Sequence, residues 1–241
     1  FLWAALAMEG RRADALQTAR TLAAKIPEAE ARKDRWKEWY LPTPLFSLIR
    51  FGDWEMLLRE PVPAKGLRYH EGIWRLGRGL AHAAMGRLPS AEGEHFVLAG
   101  LVKQFRRDRT QEDKIERTLL HIAERVLKAE VASHQKRYDE AIAILQEGVK
   151  LEEGLPYTEP PFWPIPVRQY LGAVLLLAGQ PAAAERVYRE DLERHPRNGW
   201  SLRGLSQSLR AQQKNEEADH LEEAFKSAWQ YADVSIAASR F

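Results

Sequence analysis

The stretch from Pro166 to Leu209 constrains the fold more than any other, because part of it recurs at a fixed interval. Leu171, Gly172, Leu175 and Ala184 are followed 34 residues later by Leu205, Ser206, Leu209 and Ala218. Residues of matching size at one offset predict repeated structural units, which stack on their neighbours rather than share one central core. Within the unit each residue has a mechanical part. Gly172 and Ala184 are small and let two helices cross closely, while Leu171, Leu175 and Tyr188 fill the seam. Gly179-Gln180-Pro181 reads as a turn, with glycine in a left-handed conformation and proline in the first turn of the second helix. Pro196 ends that helix.

The same ruler lays out the rest of the chain. Helical pairs are expected at about 1–27, 45–61, 66–102, 117–152, 166–196 and 198–228, with turns at Gly10, Gly52, Gly86, Lys136-Arg137 and Gly179. From Gly79 to Ala129 and from Ala91 to Ala141 the offset is 50, and from Ala129 to Gly172 and Ala141 to Ala184 it is 43. Equal offsets place the insertions between pairs, at 28–44, 103–116 and 151–166. The first carries a charged helix, Glu28 to Tyr40, broken by Pro42 and Pro44. In the second, Phe105–Glu116 is polar and expected as a loop or frayed helix end. The third holds Pro160, Pro161, Pro164 and Pro166, which exclude a helix and favour an extended, polyproline-like path. Residues Trp229–Phe241 follow the last pair as a cap or tail.

Leu171-Gly172, Leu175, Gly179, Ala184, Tyr188 and Pro196 follow the order of the tetratricopeptide pattern, and the chain is identified as a member of that repeat class. Arg168 stands where the pattern has Trp. Beyond the repeat, EPPFWPIPVRQYLGAVLLLAG, REDLERHPRNGWSLRGL, the opening FLWAALAMEGR and the ending ADVSIAASRF resemble the C-terminal region of a bacterial group of large tetratricopeptide proteins. The resemblance is strongest from Tyr157 to Leu209. It implies an all-α, right-handed superhelical solenoid of about six helix–turn–helix pairs, belonging to the C-terminal part of a longer protein that ends at Phe241. It brings no catalytic residue with it.

Composition narrows the function classes. A net charge of +2 argues against a dedicated nucleic-acid binder. No apolar run reaches the roughly 18 residues of a membrane span. The absence of cysteine excludes disulfides and thiol chemistry without fixing the compartment, and a cytoplasmic location is expected over export. There is no phosphate-binding glycine loop, no G-x-S-x-G and no H-E-x-x-H, so a non-catalytic protein without cofactor is expected. The seven histidines show no helical ligand pair, and no metal is expected.

What remains is binding. In tetratricopeptide arrays the first helix of each pair lines the concave face, and helical-wheel positions place Glu130, His134, Gln169, Trp200, Arg203, Gln207 and Arg210 there. These residues read either as a polar groove with an aromatic anchor, suited to a protein or peptide partner, or as an ordinary solvated helix face. Tyr157, Glu159 and Trp163 mark the proline-rich loop. There Trp163 either plugs into the groove or a cleft beside it, or drapes outside. The alternative function is a small-ligand or metal-binding protein using a pocket beneath the 157–166 loop. Self-association through an uncovered apolar face of the first helix is a third possibility.

Overall fold

The computed structural model describes residues 1–104 and 110–241, which form fourteen helices and no strand among the described residues. They are α1 (Leu2–Met8), α2 (Arg12–Ala24), α3 (Glu28–Ala31), α4 (Arg35–Tyr40), α5 (Thr43–Arg50), α6 (Trp54–Leu58) and α7 (Arg68–Ala84). There follow α8 (Leu88–Lys103), α9 (Gln111–His134), α10 (Tyr138–Glu153), α11 (Val167–Leu177), α12 (Pro181–Arg194), α13 (Gly199–Ala211) and α14 (Asn215–Ala228).

Six hairpins, α1/α2, α5/α6, α7/α8, α9/α10, α11/α12 and α13/α14, turn in one way. Each turn has one residue in the left-handed region: Gly10, Gly52, Gly86, Lys136, Gly179 or Gln213, with φ between 60° and 75°. The next N–H reaches back to the carbonyl five residues earlier: Arg11 to Leu6, Asp53 to Leu48, Arg87 to His82, Arg137 to Ala132, Gln180 to Leu175 and Lys214 to Leu209, at 2.8 to 3.0 Å. This bond satisfies a carbonyl that the helix end would leave without a partner. Five residues beyond each left-handed position lies a residue with no exposed surface: Ala15, Leu57, Ala91, Ala141, Ala184 or Ala218.

The hairpins pack on their sequence neighbours through one continuous apolar core. Close crossings require small residues: a Cβ at Gly172 would sit 2.4 Å from the Tyr188 ring, and one at Gly79 would sit 2.5 Å from Leu127. Two segments differ from the sequence expectation. Residues 28–44 contain two short helices, α3 and α4, and Pro44 lies in the first turn of α5 rather than breaking a helix. A proline there costs no backbone hydrogen bond, since the first turn has no partner for its N–H. In the polar stretch expected as a loop, Thr110 and Asp113 form a capping box, and α9 begins at Gln111. The part of that stretch at 105–109 lies outside the described residues.

The first and last hairpins meet. The Asp233 carboxylate accepts hydrogen bonds from the N–H groups of Arg12 (2.6 Å) and Ala13 (2.9 Å), and so caps α2. Its own N–H donates to the Gly10 carbonyl at 3.2 Å. The Trp229 ring lies against Gly10 and Gly199, where a Cβ would come within 2.4 and 2.2 Å of it.

Candidate functional site

Two non-helical segments close the array, and each meets residues that the sequence singles out. The first is the tail, Trp229–Phe241. It runs along α9, α11 and α13 and touches five of the seven expected groove residues. Arg203 Nε donates to the Ile236 carbonyl (3.2 Å) and Gln207 Nε2 to the Ala237 carbonyl (2.5 Å). Ser239 donates to the Gln169 carbonyl (2.9 Å), and its hydroxyl lies 2.7 Å from that of Tyr188. Arg240 forms an ion pair with Glu130 at 2.6 Å. The Phe241 ring packs edge-on to Trp200 with centroids 5.7 Å apart.

Glu130, Gln169 and Trp200 are therefore buried, at 3%, 0% and 0% exposure, instead of facing an open groove. Trp200 lies among Phe51, Trp229 and Phe241, donates to the Ala7 carbonyl at 3.3 Å, and carries the Arg50 guanidinium 4.0 Å above its ring. His134 lines a small hollow beside Arg240 and Phe241. Its imidazole pKa is lowered by burial and by Arg240. Arg210 is exposed, pairs with Asp219 at 2.9 Å and makes no bond to the tail.

Behind the tail lies a polar network of which helical-wheel reasoning found only Gln169. Arg50 donates to Gln169 Oε1, and Gln169 Nε2 donates to Asp191 at 3.3 Å. Asp191 also accepts from Asn198 (3.0 Å) and Ser201 (2.5 Å). Burial pulls the Arg50 pKa down to about 9. The signal that could have found this network is a charged residue inside an apolar run, here FSLIRF. Burial raises the Glu130 carboxyl, while Arg240 opposes that shift.

The second segment is the proline-rich loop. Trp163 is 2% exposed and meets Phe46 of α5 edge-on at 5.5 Å, so the loop docks instead of draping outside. Phe162 packs on Trp36 and Trp39 with centroids 5.6 and 5.1 Å away. Tyr157 stays exposed, and its hydroxyl bonds to Glu159, which is also exposed.

The loop walls three hollows. One of about 410 Å³ faces α1 and is mainly apolar. One of about 220 Å³ is lined by Trp3, Trp36, Trp39 and Tyr40. One of about 580 Å³ brings Glu152, Arg168, Asp191, Arg194 and His195 together beside Trp163. In the last, Glu152 accepts the Val167 N–H at 2.9 Å, and burial raises its pKa to about 8. Burial lowers the His195 pKa, with Asp191 opposing. Arg168 and Arg194 both hold Glu153 at 2.6 Å.

Among the described residues no group of three or more His, Asp or Glu side chains is placed to hold a metal ion. No described helix is long and apolar enough to cross a membrane. Phe1 and Leu2, at the apolar face considered for self-association, are 79% and 63% exposed. Set against known protein families, curated proteins and solved structures, the chain matches none.

Proposed function

We propose that the chain is a non-catalytic scaffold of tetratricopeptide type. Its six hairpins form a right-handed superhelical array that holds a peptide segment of a protein partner on its concave face. The recurring turn, the buried small residue five places beyond it in five of the hairpins and the 34-residue spacing support the repeat assignment. One observation carries the binding assignment. The concave residues Arg203 and Gln207 hold a non-helical stretch of polypeptide by its main-chain carbonyls, with Trp200 and Glu130 taking the side chains beyond.

Selection of a displayed random peptide library against the whole chain tests this reading. The selected peptides should lose binding when Arg203 and Gln207 are both changed to alanine. An empty selection, or peptides indifferent to those changes, would contradict it.

A second reading rests on the hollow of about 580 Å³ beneath the loop, where Arg168, Arg194, His195 and Glu152 converge beside Trp163. On this reading a small polar ligand binds there, and its protection against thermal unfolding disappears in Trp163→Ala.

A further inference from the structure

We infer that the segment Ile236–Phe241 is a ligand of the groove held in cis. The partner segment that displaces it then shares its chemistry: a branched aliphatic residue, two small residues, a serine, an arginine and an aromatic. This inference rests on the reading of the concave face as a peptide site and gives that site a specificity.

Five of the six positions of the segment have a receptor of their own. Ile236 is 4% exposed, and its carbonyl and that of Ala237 are read by side chains rather than by a helix or sheet. Ser239 fits between the Tyr188 hydroxyl and the Gln169 carbonyl. Phe241 occupies a seat made by the missing side chain of Gly52, where a Cβ would fall 2.7 Å from that of Phe241. A groove that must accept an aromatic there cannot carry a side chain of its own.

The arginine position is the discriminating one. Glu130 is buried and is paired with Arg240. An occupant without a cation at this place would strand a buried carboxylate, so the groove rejects it.

The fit in cis is incomplete. Arg50 Nε, Glu130 Oε1 and Arg240 Nε have no hydrogen-bond partner among the described residues, and their residues surround a hollow of about 20 Å³. That volume takes one water-sized polar group. An occupant in trans that puts a polar atom there satisfies groups the tail leaves unmet. The tail thus competes with the partner, and lowers its apparent affinity by the fraction of molecules in which the groove is closed.

The test is a fluorescence-anisotropy titration with a labelled synthetic peptide, DVSIAASRF. The controls are its Arg→Ala, Phe→Ala form and a scrambled form. The proteins are the whole chain and the whole chain carrying Arg240→Ala with Phe241→Ala, shown by circular dichroism to be folded. The native peptide should bind the variant about tenfold or more tighter than the parent, and both controls should bind neither. If scrambled and native peptides bind the variant alike, the specificity is overturned while the peptide site stands. If no peptide binds the folded variant, both fail. If the variant does not fold, hydrogen exchange on the parent decides. A large excess of native peptide should speed exchange of the Ile236–Phe241 amides, and unchanged exchange overturns the inference.

Discussion

The proline-rich loop and the tail are both irregular, both set aromatic rings against the helices, and differ in what they leave behind. The tail fills most of the space it enters. The Ile236 and Ala237 carbonyls, the Ser239 hydroxyl and one guanidinium nitrogen of Arg240 find partners, and the hollow that remains is about 20 Å³. The loop docks through Trp163 and Phe162 but is bordered by hollows of about 220 to 580 Å³. The Trp163 indole N–H has no partner among the described residues, whereas that of Trp200 donates to Ala7. A segment bonded residue by residue closes a surface, and one anchored by two rings props it open. The tail therefore behaves as an occupant and the loop as a wall.

Truncating each anchor should break this contrast most sharply. Trp200→Ala removes three ring contacts, the Ala7 hydrogen bond and the platform for Arg50. A loss of about 5 kcal/mol is expected, against about 3 kcal/mol for Trp163→Ala, which has empty space beside it into which to relax. Chemical denaturation of the two variants checks the order, and equal losses would erase the distinction between occupant and wall.

The pH response should separate the two segments next. Glu152 has a folded-state pKa raised to about 8, so the folded chain binds that proton more tightly than the unfolded chain does. Its contribution to stability is therefore greatest below the ordinary glutamate pKa of about 4.5, and is lost as pH rises through about 8. Amide exchange around Val167, at the foot of the loop, should accelerate across that window, and Glu152→Gln should flatten the response. The smallest effect is expected at Ser239→Ala, about 1 kcal/mol for one buried hydroxyl with two partners. It should loosen the tail without changing exchange at Val167.

The regular part of the molecule was legible because its signals are local. Gly10, Gly52, Gly86 and Gly179 mark turns by a conformation that glycine adopts freely. Of the two hairpin turns without glycine, the one at Lys136-Arg137 is read from the register of the repeat, and Lys136 takes the left-handed position at φ 60°. The other, with Gln213 at φ 64°, carries no such signal in the sequence. Proline was read less well, because Pro44 has one identity and two meanings: a breaker inside a helix and a starter in its first turn.

The candidate site was legible as a set of residues but not as an environment. The helical wheel finds which side chains face inward and assumes water in front of them. What lies in front of Trp200 and Glu130 is the tail, about 40 to 110 residues further along the chain. No local pattern announces the pairing of Arg240 with Glu130 or of Arg12 with Asp233. The buried network from Arg50 to Asp191 was missed for the same reason, since its members come from three hairpins.

The central claim is that the tail lies against α9, α11 and α13 as an occupant that a partner can displace. The absence of cysteine makes it directly measurable, because spin labels can be placed at chosen sites alone. Ala237 and His134 are exposed, one on the tail and one at the end of α9. Cysteines introduced at both positions, labelled and measured by double electron–electron resonance, should give a single narrow distance distribution matching the structure, and excess DVSIAASRF peptide should broaden it. A broad distribution in the free protein would contradict the account, because the tail would then not occupy the groove.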